Sequence, residues 1–261
     1  MRAKRLVLIG AALLAVLAGC SSSSETRVII GAGTTLVDSQ LMSEIVAAYG
    51  EVEPDVDLSV VGLSSAEAIA LAEAGDADLI ITHARESLGE FLTQHSESVR
   101  FDVFASKFFI VADPTISLSA ASVEDAFAAI AEQEITFVSR DDGSGTNAAE
   151  LAAWDRAGVD PSGASWYLRT STGMGATLQV TDQRHATTLA EHGAFIASQG
   201  TLSLVPVANT EIRNPYDLTV VDVGKNPAAM AFAEWLTSAQ GVAAITAANV
   251  NLFGEQVYAA P

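Results

Sequence analysis

The 261-residue chain has a single cysteine, Cys20, so no intramolecular disulfide can staple it. It is also poor in positive charge. Thirteen Lys and Arg face thirty-two Asp and Glu, giving a net charge of −19. That balance excludes a nucleic-acid partner, which needs basic stripes, and electrostatic attachment to anionic lipid. Reactive motifs are missing too. There is no Gly-x-x-x-x-Gly-Lys-Ser/Thr run, and Asp142 stands where a Gly-x-Ser-x-Gly elbow around Ser144 needs glycine. His83, His95, His185 and His192 have no His-Glu-x-x-His spacing. Asp141 and Asp142 are adjacent in a loop, where neighbouring side chains diverge rather than pair for acid–base work. No enzyme activity, metal or cofactor is expected. After the first twenty residues, no segment is long and apolar enough to span a bilayer.

What is present begins with Arg2, Lys4 and Arg5, then apolar Leu6 to Ala18, then Leu17-Ala18-Gly19-Cys20. The short apolar stretch with basic flank reads as a secretory signal. Small residues ahead of a lone cysteine resemble the bacterial lipoprotein cleavage box. The resemblance implies cleavage before Cys20 and lipid on its sulfur and amino group. Residues 1–19 are then the signal peptide and 20–26 a tether containing Ser21 to Ser24. Losing the three basic residues ahead of Cys20 takes the charge to −22. A field of that sign is screened within about 8 Å at physiological salt, so a partly buried positive site can persist beneath it.

Residues 139–147, Ser-Arg-Asp-Asp-Gly-Ser-Gly-Thr-Asn, open into the apolar-periodic run Ala148 to Trp154. This predicts a loop feeding a helix. A helix start carries about half a positive charge and unpartnered N–H groups. Gly143 and Gly145 let the backbone aim those groups at one point, and Arg140 adds a planar fork suited to a tetrahedral oxyanion. The same residues also fit an ordinary capped loop in which Arg140 pairs with Asp141 or Asp142.

Elsewhere strands alternate with helices. Strands are predicted at Val28 to Gly31, Val56 to Val60, Asp78 to Thr82, Phe101 to Ala112, Ile135 to Val138, Leu202 to Val207 and Leu218 to Val223. Helices follow Asp38 or Ser39 as cap, a Ser64/Glu67 capping box (65–73), and continue at 86–94, 122–131, 174–181, after Thr187 or Thr188, at 227–238 and at 240–248. The alternation predicts an α/β fold with a mainly parallel sheet. Gly33-Thr34-Thr35, Ser64-Ser65 and Gly143 to Thr146 follow strands, and ligands in such sheets bind at the carboxyl ends of strands.

Several stretches carry a family resemblance. They include Thr34-Thr35 with Asp38-Ser39, Gly75-Asp76-Ala77-Asp78, Phe137-Val138-Ser139-Arg140, Ser144-Gly145-Thr146 and Asp160-Pro161-Ser162-Gly163. Trp166-Tyr167-Leu168, Gly173 to Leu178, Asn214-Pro215-Tyr216 and Phe232 to Ser238 extend it. Over nearly the whole mature length the chain resembles tungstate-binding lipoproteins of ABC importers. The resemblance implies a two-lobed periplasmic-binding-protein fold of type II, closing on an oxyanion in the interlobe cleft. Lobe one would hold residues 27–104 and 204–261, lobe two residues 105–203, with crossings near 103–107 and 200–206. Ligand positions would be Thr34, Thr35, Ser64 and Ser65 on one side, and Arg140, Ser144, Gly145, Thr146 and Gly175 on the other. Two departures stand out. Ala32-Gly33-Thr34-Thr35 replaces a family run of three threonines and a serine. Thr187 to Gly193 replaces a Tyr-Thr-Leu-Thr-Asp-Arg-Gly-like segment. The expected ligand is tungstate or molybdate, the expected partner an ABC permease, and the protein a lipid-anchored extracytoplasmic monomer. A phosphate receptor is the alternative, and a surface lipoprotein that binds only another protein is a third.

Overall fold

A computed structural model describes residues 26–260. The expected signal peptide, residues 1–19, and the expected lipid site Cys20 lie outside the described residues. The elements run in the order β1 (Thr26–Gly33), α1 (Thr34–Asp38), α2 (Leu41–Gly50), β2 (Val56–Leu63), α3 (Ser65–Glu73), β3 (Leu79–Thr82), α4 (Arg85–Gln94), β4 (Val99–Ala112), α5 (Val123–Glu132) and β5 (Phe137–Ser139). They continue with α6 (Gly145–Arg156), β6 (Tyr167–Arg169), α7 (Met174–Gln183), β7 (Thr187–Glu191), α8 (His192–Ser198), β8 (Val205–Pro206), β9 (Ile212–Val220), α9 (Pro227–Thr237) and α10 (Ala239–Phe253). None of these helices is long and apolar enough to cross a membrane.

The strands form one sheet in the order β2-β1-β3-β9-β4-β7-β5-β6, with β8 also on β4. Each flank is parallel: β2, β1 and β3 at one end, β7, β5 and β6 at the other. The centre is antiparallel, through β3–β9, β9–β4 and β4–β7. The sheet is therefore mixed rather than mainly parallel, because β4 and β9 run in opposite directions between the two flanks. Fourteen-residue β4 pairs with β9 along Val99–Phe108 and with β7 along Phe108–Ala112.

Apolar patterning explains how each flank is covered. Val28, Ile30, Leu79 and Ile81 pack with Ile45, Tyr49, Phe232, Trp235 and Leu236. The opposite face at Ile80 is covered by Ala68, Ile69, Leu88 and Phe91. Along β4 the side chains alternate. Phe108 and Ile110 join Phe127, Phe137 and Trp154. Phe109 and Val111 join Met174, Leu178, Phe195 and Leu204. Burial on both faces accounts for the nearly continuous apolar run of that strand.

Four local expectations change. Neither Asp38 nor Ser39 caps α2. A short extra helix, α1, intervenes, and Gln40 enters α2 from the left-handed region at φ 64° with no side-chain cap. Thr187 and Thr188 do not cap a helix. They belong to β7, where their hydroxyls donate to the carbonyls of Thr136 and Val138, and Glu191 caps α8 instead. The strand at 202–207 shrinks to Val205–Pro206. That at 218–223 ends at Val220 and begins earlier, at Ile212. The Ser64/Glu67 capping box forms as read, and α3 runs from Ser65 to Glu73.

Candidate functional site

The loop after β5 turns through Asp141 at φ 46° and Gly143 at φ 68°, the region that glycine tolerates best. It delivers Ser144 as the cap of α6, with Ser144 Oγ accepting from the Asn147 N–H at 3.2 Å. Gly145 has a steric reason to be glycine. A Cβ there would collide with the ring and carbonyl of His83 at the end of β3. A Cβ on Gly143 would stand 3.3 Å from Ala66 Cβ on α3. The start of α6 is thus pressed against the carboxyl ends of strands from the opposite flank.

Arg140 is 1% exposed. Its Nη2 donates to Thr34 Oγ1 at 2.9 Å and its Nη1 to Thr146 Oγ1 at 3.3 Å. Its Nε donates to Asp142 Oδ2 at 3.0 Å and to the Thr172 carbonyl at 3.3 Å. Nη2 also donates to Asp142 Oδ2, completing a buried ion pair. The ordinary pairing foreseen for this loop is therefore present. The same guanidinium also ties α1, α6 and the segment before α7 together, which a simple capped loop would not do. A burial this complete demands compensating hydrogen bonds, and Arg140 has them.

The other positions singled out from sequence fall around this centre. Thr35 is fully buried and shares a 2.9 Å hydrogen bond with the Tyr216 hydroxyl. Ser65 Oγ accepts from the His83 N–H at 3.5 Å. Ser64 is committed to its capping box: its Oγ accepts from the Glu67 N–H, and its own N–H donates to the Glu67 carboxylate. The Gly175 N–H, in the first turn of α7, donates to Asp38 Oδ2 at 3.2 Å. Two of the chain's own carboxylates, Asp142 and Asp38, thus rest on donors from Arg140 and α7. Asn214 and Tyr216 lie buried in β9 and are part of this core.

His83 was not among the sequence candidates. Its ring stacks on Tyr216 at 4.8 Å between centroids, and its Nδ1 is 3.1 Å from Asn214 Oδ1. A Cβ on Gly33 would lie 3.9 Å from its Nε2 and 3.7 Å from Thr35 Oγ1. Burial, then the neighbouring Arg140 charge, lowers its pKa to about 3, so the imidazole is neutral. A lone histidine without spacing partners gives no motif. The available signal is its position just past the end of β3, where the other candidates also sit after strands.

Two α/β flanks joined through antiparallel central strands, with helix starts and a buried arginine facing one another across the join, define a binding protein of the two-lobed periplasmic class. A family model described as a PBP superfamily domain matches residues 21–240, and the chain belongs to that superfamily. A Haloferax volcanii protein, provisionally named an ABC transporter anion-binding protein, is 35% identical over 90% of this chain and 72% of its own length. The tungstate-binding protein TupA of Peptoclostridium acidaminophilum is 27% identical over 92% of this chain and 86% of its own. Among solved structures, the tungstate ABC transporter protein from Geobacter sulfurreducens superposes with a TM-score of 0.77 at 30% identity, covering 86% of this chain and 99% of that one. Proteins of this kind are substrate-binding parts of transporters rather than enzymes, and those of ABC importers work outside the cytoplasm.

Proposed function

We propose that the protein captures a tetrahedral oxyanion, tungstate or molybdate, for an ABC importer. The observation that carries this reading is the buried Arg140, whose donors reach Thr34 on one flank and Thr146 on the other. An incoming dianion would take the place of Asp142 on the guanidinium. Charge-assisted, bidentate contacts of this kind are among the stronger hydrogen bonds available. Thr34, Thr35, Ser65 and the N–H groups at the starts of α6 and α7 supply further donors, with Ser144, Gly145, Thr146 and Gly175 on the second side. Ser64 contributes by fixing α3.

The lobes in this reading exchange strands through β4 and β9. The second crossing then falls within β9 rather than at 200–206, since Val205 and Pro206 pair with β4 at Ala112 and Val111, and Leu204 packs on Phe109 and Val111. Lobe one would accordingly begin its C-terminal share near residue 213. The chain would act as a monomer, held to the membrane by lipid on Cys20 and handing its anion to a permease subunit. A Cys20→Ala chain should leave the membrane fraction with anion affinity unchanged, and equal retention would refute the anchor.

A phosphate receptor is the second reading, favoured by the carboxylate of Asp142 at the site, which suits a protonated anion. Calorimetric competition among tungstate, molybdate, sulfate and phosphate on the soluble domain separates the two. Tungstate or molybdate should bind most tightly. Phosphate binding more tightly would install the second reading, and silence with every anion would leave the protein-interaction role.

A further inference from the structure

Beneath the arginine cluster a chain of buried polar groups leads away from His83. Asn214 accepts from His83 at Oδ1 and donates from Nδ2 to Ser106 Oγ at 3.1 Å. Ser106 in turn donates to Glu191 Oε1 at 2.5 Å. The other carboxylate oxygen, Oε2, accepts from the Ala194 N–H at 2.9 Å and from the Tyr258 hydroxyl at 3.2 Å. Tyr258 also reaches Ser39, at the end of α1. Ser106, Glu191 and Asn214 are each 3% exposed or less. The groups facing Glu191 are Ser106 from β4, Tyr258 from the C-terminal segment, the N–H groups at the start of α8, and the Tyr216 ring of β9.

The chain has a direction. With Glu191 ionised, every link donates toward the carboxylate. His83 must then carry its proton on Nδ1 and present a bare lone pair at Nε2, the atom near Gly33 and Thr35. Each link can also reverse. A proton on Glu191 Oε1 would donate to Ser106, Ser106 to Asn214 Oδ1 after the amide turns over, and Asn214 Nδ2 to His83 Nδ1. The His83 proton would then sit on Nε2. The reversal adds one proton, taken from solvent onto Glu191, and exchanges the imidazole tautomer.

We infer that this relay is reversible and that binding of a fully ionised oxyanion reverses it, making His83 a donor to the cleft and drawing one proton onto Glu191. The inference rests on the reading of the Arg140 cleft as an anion site. The physical argument is that a dianion repels a bare lone pair and accepts from an N–H. Burial makes the reversal accessible. It pushes the Glu191 carboxyl up to about 7, against the donors from Ser106, Ala194, Gly193 and Tyr258. His83 stays neutral in both directions, consistent with its depressed pKa. Glu191 and His83 are positioning residues in this scheme: one sets the tautomer, the other presents it.

The test is nitrogen-15 spectroscopy of His83 with calorimetry of tungstate binding in buffers of different ionisation enthalpy, between about pH 7 and 9. Near pH 9 the free protein should show the Nδ1-H tautomer and the tungstate-saturated protein the Nε2-H form. Binding should take up about half a proton near pH 7 and close to one near pH 9. Affinity should fall by up to tenfold per pH unit as pH rises above 7, since the unliganded state then holds fewer protons. Glu191→Gln keeps an oxygen for Ala194 and Tyr258 and offers an N–H to Ser106. It should hold the Nε2-H tautomer without ligand and bind tungstate with no pH dependence. Ser106→Ala cuts the relay and should remove the tautomer change while leaving Arg140 in place. Tight binding with an Nδ1-H His83 throughout would overturn the relay alone. No anion binding at all would overturn the site reading, and the relay with it.

Discussion

Arg140 and Glu191 are both buried charges, and the protein treats them oppositely. Arg140 is neutralised by a neighbouring carboxylate, Asp142, on a loop that also turns through left-handed residues. Glu191 is surrounded by neutral donors, a serine, a tyrosine and two backbone N–H groups. A charge paired with a side-chain counter-ion can trade that partner for another anion of better fit. A carboxylate held only by dipoles responds instead by changing its own protonation, because its charged form carries the desolvation cost. Exchange belongs to the upper cluster and titration to the lower.

The largest effect should come from breaking the upper cluster. Arg140→Ala should weaken oxyanion binding by about 3 kcal/mol, the scale for losing one member of a buried, hydrogen-bonded charge pair. Unchanged affinity in calorimetry would remove the arginine from the site and leave the comparison without its first term. Next, Gly145→Ala forces a methyl into the His83 ring. It should cost about 2 kcal/mol of folding stability, as overpacking does, and blunt anion binding as the α6 start moves away. Thermal unfolding at wild-type temperature would show that the contact yields. The smallest effect is Thr35→Val, which deletes the hydroxyl shared with Tyr216. It should lower stability by about 1 kcal/mol. A loss several times larger, read in denaturant titration, would mean that Thr35 supports the lower cluster as well.

Much of this arrangement was legible in the sequence because it rests on local rules. Glycines and hydroxyls after strands marked the loops at 33–35, 64–65 and 143–146, and the Ser64/Glu67 spacing announced its capping box. What escaped was non-local. β7 reads as a helix cap because threonines serve both purposes. Only the carbonyls of residues 136 and 138, some fifty residues away, decide that their hydroxyls are buried in a sheet. Glu191 draws no separate reading, since nothing nearby in sequence reveals that Ser106 and Tyr258 close over it. The mixed sheet escaped for the same reason: the direction of β9 relative to β4 is set by pairing, not by composition.

The length of β4 has a kinetic consequence. Its partner β9 lies far along the chain, with Val99 opposite Val220 and Phe108 opposite Ile212. The β2-β1-β3 flank cannot join β4 and the rest of the sheet until that late segment has been made and has found its place. Topologies dominated by such distant pairings fold slowly, since the entropy of closing the intervening chain must be overcome before contacts form. A polypeptide of this design leaves the edge of β3 without its partner strand until residues 212–220 have been made.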